Sequence, residues 1–515
     1  MCNHGSARLC GLLASTWLAG AICSGALAGA PAVTPSSLPR IGTVDQRFQS
    51  YNIEMVEVTG GWFWKPYRSR PEPSPAPPPQ SWRGPSPGRE DANLFQYRPP
   101  IDLGNARLRK LASALAPAFL RVSGTWANST YFADADDAPA GAPAGFNSLL
   151  TRPQWRGVIN FSHAVDAEIV TSFAISAGSR DAAGHWTTNQ ARRLLDYTGA
   201  IGGRIVAAEF MNEPDLAEIG GAPEDYDAAK YGRDFRIFSA FVKRAAPDLL
   251  IAGPGTASSA TAAADLLAAS TPGLDVVSYH HYGAVSKRCG GSGRPEAALS
   301  EEWLSRTDRS ADFYKTLRDR FEPGKPIWLT ETAQAACGGD SWAASFLDTF
   351  RYLDQLGRMA KAGVQVVMHN TLAASDYGLL DESTLQPRPN YWGALLWRQL
   401  MGTTVLEAGV PLQSGLHVYA HCLRGTPGGV ALLVINTDRQ APHVLMLPAA
   451  SLRYTLDAVD LLDEHVMLNG SALALGAGDE LPPIEGAPTS PNTLTFEQAT
   501  ITFLAVPEAA NDACR

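Results

Sequence analysis

The sequence predicts an α/β protein: a (β/α)8 TIM barrel carrying a C-terminal β-sandwich domain. Three observations point there. From about Gln46 to Met401, short β-branched runs alternate with longer amphipathic stretches, the pattern of parallel strands joined by helices. The number of such runs is eight, and they occupy roughly 350 residues, the size of a barrel with insertions. After about Val405 the period drops to two, with Gly, Pro and Asp turns between short segments, as in antiparallel strands packed face to face.

The expected barrel strands are Tyr51–Val58, Phe119–Ser123, Glu168–Ser176, Ile205–Glu213, Leu249–Gly253, Val276–Tyr282, Pro326–Glu331 and Gly363–Asn370. Amphipathic stretches between them include Asn105–Ala116, Asn189–Ala200, Tyr226–Ala246, Ala311–Phe321 and Ser341–Ala362. A doubly wound open sheet is the rival architecture. It would open on a GxGxxG turn after its first strand, whereas this chain has Gly60-Gly61-Trp62-Phe63 there. Sandwich strands are expected at Leu416–Cys422, Gly429–Asn436, His443–Leu447 and Thr500–Val506. The domains are then 46–401 for the barrel and 29–45 with 402–515 for the sandwich.

Residues 1–28 read as a secretory signal. Arg8 is their only formal charge, Leu9 to Ile22 is apolar, and Ala26-Leu27-Ala28 gives a small-x-small cleavage pattern. A secreted or periplasmic protein is expected. Beyond the signal no apolar run approaches the ~20 residues that span a bilayer, so membrane insertion is not expected. Of the seven cysteines, Cys2, Cys10 and Cys23 fall in the signal, leaving Cys289, Cys337, Cys422 and Cys514. Their separations exclude a CxxC metal knuckle, and an even number in an exported chain predicts two disulfides. Cys422 ends a sandwich strand and Cys514 lies at the terminus, so a bridge between them would pin the tail. Formal net charge is −9 over 515 residues, which excludes a nucleic-acid binder held by a basic surface. No cofactor is expected, and the chain is expected to be a monomer.

Two loops should emerge on the catalytic face: the Pro-rich Arg70–Arg89 after the first strand and Asp134–Asn147 after the second. Active groups of barrel enzymes sit at the C-terminal ends of strands, and two carboxylates fall there. In Ala208-Glu209-Phe210-Met211-Asn212-Glu213-Pro214, strand alternation places Glu209, Met211 and Glu213 on one face. Asn212 beside them could donate to a sugar hydroxyl. In Ile327-Trp328-Leu329-Thr330-Glu331-Thr332, the same rule groups Ile327, Leu329 and Glu331. Strands four and seven face each other across a barrel mouth, so Glu213 and Glu331 can converge on one glycosidic bond, Glu331 as nucleophile and Glu213 as acid/base. Each taken alone is also compatible with a solvated strand end. Strand six ends Ser278-Tyr279-His280-His281-Tyr282, with Ser278, His280 and Tyr282 on one face and the Tyr282 phenol in reach of Glu331. Adjacent His280 and His281 point to opposite sides, so no metal site is expected.

These motifs (NEP, HHY and WLTET) resemble those of the heparanase-type family 79 glycoside hydrolases, of the retaining barrel clan. The similarity extends through Phe119–Thr125, Asn189–Tyr197, Val366–Met368, Asp376–Asp381, Asn390–Trp392 and Val418–Cys422 to Cys514, in collinear order. The resemblance implies that Tyr282, Thr125, Gly338 and Tyr377 line a glucuronic-acid subsite, with backbone N–H groups of the loop after Glu331 gripping the uronate carboxylate. That loop reads Ala335-Ala336-Cys337-Gly338-Gly339, with Ala336-Cys337 replacing a Tyr-Gly pair of the animal enzymes. Asn52 and Glu54 stand where the animal enzymes carry a different polar pair and are possible binders. Loops six and seven are neighbours, so a Cys289–Cys337 bridge is expected between them.

An acidic protein acting on an acidic polysaccharide needs a local positive lining. Lys287, Arg288 and Arg294 follow HHY, and Arg152, Arg156 and Arg180 lie on loops near the cleft. The expected activity is a retaining β-D-glucuronidase of heparanase type, cutting inside heparan sulfate-like chains. Its alternatives are an exo-β-glucuronidase on small glucuronides or hyaluronan-type substrates, and a non-catalytic glycan-binding barrel. The short Asp134–Asn147 loop stands where animal relatives carry an excised linker, so activity as a single chain is expected.

Overall fold

The computed structural model describes residues 30–67, 94–258 and 260–515. The expected signal segment (1–28) and the Pro-rich stretch Arg70–Arg89 lie outside the described residues. Eight parallel strands close into a barrel: β1 (Gln49–Glu54), β2 (Ala118–Ser123), β3 (Ala167–Ser172), β4 (Ile205–Glu209), β5 (Leu250–Thr256), β6 (Val276–Tyr282), β7 (Ile327–Ala333) and β8 (Val366–His369). The helices that return the chain are α1 (Ala106–Ala114), α2 (Arg152–Ala164), α3 (Asn189–Ala200), α4 (Ala228–Ala245), α5 (Thr261–Ser270), α6 (Arg306–Phe321), α7 (Phe346–Ala362) and α8 (Pro389–Leu400). Local chemistry sets their starts. Thr151 and Gln154 form a reciprocal capping box on α2, and the Asp227 side chain accepts from the Lys230 N–H to open α4.

Three strands stop short of their β-branched runs. The first ends at Glu54, because Glu54 and Glu57 cap each other and turn Met55–Thr59 into a helix. The third ends at Ser172. The fourth ends at Glu209, and Glu213 stands in left-handed backbone (φ 44°) at the start of a 3-10 turn over Pro214–Leu216. Strand alternation therefore does not carry Glu213 into the mouth; a turn does.

The lower barrel interior is apolar, filled by Phe119, Val170, Val206, Ala252, Val276, Trp328 and Met368 among others. In β7 the inward residue at this level is Trp328, while Ile327 and Leu329 pack outward against the helices. The expected grouping of Ile327 and Leu329 with Glu331 is thus wrong in phase. A β-bulge brings Glu331 inward all the same. Tyr279 pairs with Leu329 but His280 with Glu331, and on the other side Val367 pairs with Leu329 but His369 with Thr332. One extra residue in β7 lets Thr330 and Glu331 both face the interior.

The sandwich begins with Arg40–Thr43, which pairs antiparallel with Met401–Leu406 inside a nine-stranded sheet. A two-stranded sheet, His443–Leu447 with Asn492–Phe496, covers one face through Leu445, Leu447, Leu494 and Phe496. The other face turns Tyr419, Leu433, Ile435 and Phe503 toward the barrel. At that junction Asp354 of α7 accepts from His417 Nδ1, Tyr419 Oη and Arg358 Nε, each at 2.6 Å, and His417 Nε2 lies 3.0 Å from Glu301. Burial alone would lower His417, but Asp354 and Glu301 bring its pKa up to about 9. A disulfide joins Cys422 to Cys514 with Cα atoms 5.3 Å apart, tying the terminus to the sheet. The loop Asp134–Asn147 packs on the turn after β3, where Gly178 N–H donates to the Gly145 carbonyl at 3.1 Å. Among the described residues no helix is long and apolar enough to cross a membrane.

Candidate active site

Above the apolar layer the barrel interior becomes charged, and its centre is Arg121 of β2, 1% exposed. Nε and Nη2 donate to Glu209 Oε2 at 3.0 and 2.8 Å, Nη1 to Glu331 Oε2 at 2.8 Å, and Nη2 to Asn212 Oδ1 at 2.8 Å. Glu209 is fully buried and takes further hydrogen bonds from Ser278 (2.7 Å) and Thr330 (2.8 Å) on its other oxygen. Such burial is tolerable only because every charge has an opposite partner and its lone pairs are used. Glu209 is a framework anion here. Arg121 was missed as a site residue because it sits in an apolar run; a lone charge at an inward strand position was the available signal.

Glu331 accepts from the Tyr282 phenol at 2.6 Å through its other oxygen. Burial would raise its pKa, but the charges of His280 and Arg121 and the bonds from Tyr282 and Arg121 bring it below the usual carboxylate value. Glu213 moves the other way. Burial raises it, the hydrogen bond from His280 opposes, and the nearby Glu331 charge raises it again, with a net upward result. His280 Nδ1 lies 3.0 Å from Glu213 Oε1 and 3.8 Å from Glu331 Oε2, so the imidazole bridges the two carboxyls. Burial would lower His280, yet the Glu331 charge and the bond to Glu213 leave it raised. One oxygen of Glu213 and one of Glu331 fall within 4.8 Å of each other. The site thus holds one carboxyl biased to the acid form and one biased to the anion, side by side.

Those two oxygens and a His280 nitrogen are close enough to gather round one cation. Arg121 already neutralises Glu331 at 2.8 Å, and its fixed charge would repel a metal ion in this buried setting.

Supporting residues lock the orientation. Asn128 accepts from the Asn212 N–H and donates to the Asn212 carbonyl, both at 2.8 Å, while Arg121 holds the Asn212 side-chain oxygen, leaving its NH2 as the donor end. Asn370 donates to Tyr282 Oη at 3.1 Å and Tyr377 Oη at 3.3 Å. Neither Asn128 nor Asn370 was expected from the sequence. Asn52 donates to the Thr330 carbonyl at 3.1 Å, across the barrel interior. Glu54 is buried, and burial together with the Glu331 charge drives its pKa up despite Arg121. Gly124, just before the half-buried Thr125, has no side chain to clash with it: a Cβ there would fall 1.4 Å from Glu54 Oε2.

The bridge Cys289–Cys337 links the loops after β6 and β7, with Cα atoms 6.5 Å apart. Gly338, in left-handed backbone (φ 80°), follows it. The cationic lining differs from expectation. Arg288 is paired with Asp376 at 2.6 Å with its side chain 4% exposed, so it is not a free cation. Arg180 is tied to Asp234 and Arg152 to Asp134 and Asp136, and Arg156 donates to Tyr197 Oη. Lys287 and Arg294 remain exposed.

A family model described as "Glycosyl hydrolase family 79, N-terminal domain" matches residues 101–357. Heparanase of Mus musculus is 27% identical over 483 residues, covering 80% of this chain and 88% of that protein. Heparanase-like protein 1 of Arabidopsis thaliana is 32% identical over 270 residues, 50% of this chain and 48% of that protein. Hyaluronoglucuronidase of Hirudo nipponia is 25% identical over 481 residues, 82% and 94% respectively. Among solved structures, a GH51 arabinofuranosidase from Xanthomonas axonopodis pv. citri superposes with a TM-score of 0.60 at 15% identity, over 91% of this chain and 97% of that one. A 4-O-alpha-L-rhamnosyl-beta-D-glucuronidase from Fusarium oxysporum gives 0.62 at 12% identity, over 92% and 99%. At those identities the structural likeness speaks for the fold.

Proposed function

We propose that this glycoside hydrolase, whose fold is of the family 79, heparanase-superfamily kind, is a retaining β-D-glucuronidase that cuts glucuronidic linkages inside heparan sulfate-like polysaccharides. The observation that carries the reading is the carboxyl pair: Glu213 raised, Glu331 lowered, their oxygens within 4.8 Å. Retaining hydrolysis uses two carboxyls about 5–5.5 Å apart, whereas inversion needs a gap of about 6.5–9.5 Å for water. In the first step Glu331 attacks the anomeric carbon, the bond to the leaving oxygen breaks, and Glu213 gives that oxygen its proton. In the second, Glu213 takes a proton from water, the water oxygen bonds to the anomeric carbon, and Glu331 leaves. Tyr282 holds Glu331 for attack, and Asn212 offers its NH2 to a sugar hydroxyl. The backbone around Gly338, with Tyr377 and Thr125, surrounds the uronate, and Asn52 and Glu54 support the same subsite. Lys287 supplies a cation at the rim for an acidic polymer.

The names of the relatives, which include heparanases and a hyaluronoglucuronidase, support a glucuronyl substrate. The compact Asp134–Asn147 loop supports activity as an uncut chain, and the signal-like leader supports export. Defined heparan sulfate oligosaccharides provide the test. Wild type should shorten them without releasing free glucuronate, with the first product anomer β by NMR, and Glu331→Gln should abolish turnover. Free glucuronate from chain ends, from small glucuronides or from hyaluronan would replace the endo reading by an exo or hyaluronan-type one. Glycan binding without turnover would overturn the catalytic reading.

A further inference from the structure

Four loops of the barrel mouth meet at one buried carboxylate, Asp376, in the loop after β8. Both its oxygens lie 3.2 Å from the Tyr67 N–H, in the loop after β1. Oδ2 also accepts from Arg288 Nη2 at 2.6 Å, in the loop after β6. Its own N–H donates to the Gly338 carbonyl at 3.2 Å, in the loop after β7, and Ser375 Oγ donates to that same carbonyl at 3.0 Å. Arg288 is enclosed: its guanidinium carbon sits 4.1 Å from the Tyr67 ring centroid, Nη1 donates to the Lys65 carbonyl, and Nε is buried without a protein partner. Arg388 fixes the neighbouring backbone, donating to the Ser375 and Asp376 carbonyls at 2.6 and 2.9 Å. Gly338 has no slack inside this assembly. A Cβ there would lie 2.5 Å from Ser375 Oγ and 2.6 Å from Trp64 Cβ.

We propose that Arg288 and Asp376 act together as positioning residues, holding the Gly338–Gly339 backbone against the bound sugar, and that Arg288 does not itself touch the substrate. This rests on the glucuronidase reading above. A buried pair of this kind fails as a unit, because removing either partner strands the other charge. Loop residues that only orient a binding backbone act on substrate positioning, and a displacement of about 1 Å can cost a hundredfold.

The experiment is a double-mutant cycle with Arg288→Gln, Asp376→Asn and the pair combined, read as kcat and KM on a defined heparan sulfate oligosaccharide, with thermal melts to check folding. Each single variant should raise KM by about tenfold to a hundredfold, with a smaller change in kcat. The combined variant should be no worse than either single one. Arg288→Lys, which keeps the charge but not the flat face on Tyr67, should recover only part of the loss and serves if Asp376→Asn does not fold. If Arg288 contacted the uronate directly, Arg288→Gln would be far worse than Asp376→Asn and the losses would multiply. Either that result or an Asp376→Asn enzyme with wild-type KM overturns the proposal while leaving the function intact. A wild-type protein inert on the oligosaccharide overturns both.

Discussion

Replacing Arg121 by glutamine removes the one cation shared by Glu209, Glu331 and Asn212. At an effective dielectric of about 20, unit charges about 4 Å apart interact by about 4 kcal/mol, equivalent to about three pKa units on the partner. His280 remains beside Glu331 at 3.8 Å, and water will enter, so part of that loss is made good. The expected result is a Glu331 pKa higher than in wild type. On the proposed mechanism activity needs Glu331 ionised, so the acid limb of kcat/KM against pH should move upward with it. The loss of orientation should lower kcat/KM at neutral pH by about a hundredfold. Stranding Glu209 should also destabilise the fold by about 3–5 kcal/mol, visible as a lower urea midpoint. Arg121→Lys keeps the charge but has no fork to bridge the acceptors, so it should leave the acid limb near its wild-type place while still losing rate. A folded Arg121→Gln enzyme whose acid limb superimposes on that of wild type would refute the electrostatic account of Glu331.

Wild type itself should show a bell-shaped profile. Glu331 is lowered and must be ionised, so the acid limb lies below the ordinary carboxylate value; Glu213 is raised and must be protonated, so the alkaline limb lies above it. An alkaline limb that stays in place in Glu213→Gln would deny Glu213 that role. At the barrel–sandwich junction, His417 is raised from an ordinary value of about 6.5 to about 9. Its contribution is therefore complete below pH ~6.5 and lost as pH rises through the folded value, at most about 3 kcal/mol. Urea unfolding across that range should show the decline in wild type and a flatter course in His417→Gln; equal slopes would remove the His417–Asp354 bond as its cause.

The sequence disclosed most where the backbone is regular. Strand β6 alternates without interruption, so Ser278, His280 and Tyr282 face inward as the period of two requires. Both carboxylates were placed at the mouth, but by rules that do not operate there. Glu213 arrives on a left-handed turn and Glu331 after a bulge, neither of which leaves a mark on hydrophobic periodicity. Arg288 reads as a free cation in the sequence because its counter-charge, Asp376, is 88 positions away in the chain. Asn128 and Asn370 give no local signal at all, and Arg121 only that of a lone charge in an apolar run; their meaning comes from what the closed barrel sets opposite them.

The added residue in β7 makes the facing of Glu331 a matter of parity. Deleting Thr330 would remove the bulge yet leave Glu331 facing inward directly after Leu329, at the cost of the Thr330 bond to Glu209. Straightening the strand with Thr330 kept would instead swing the carboxylate out among the helices. The fold guards its reactive group by arithmetic as much as by chemistry.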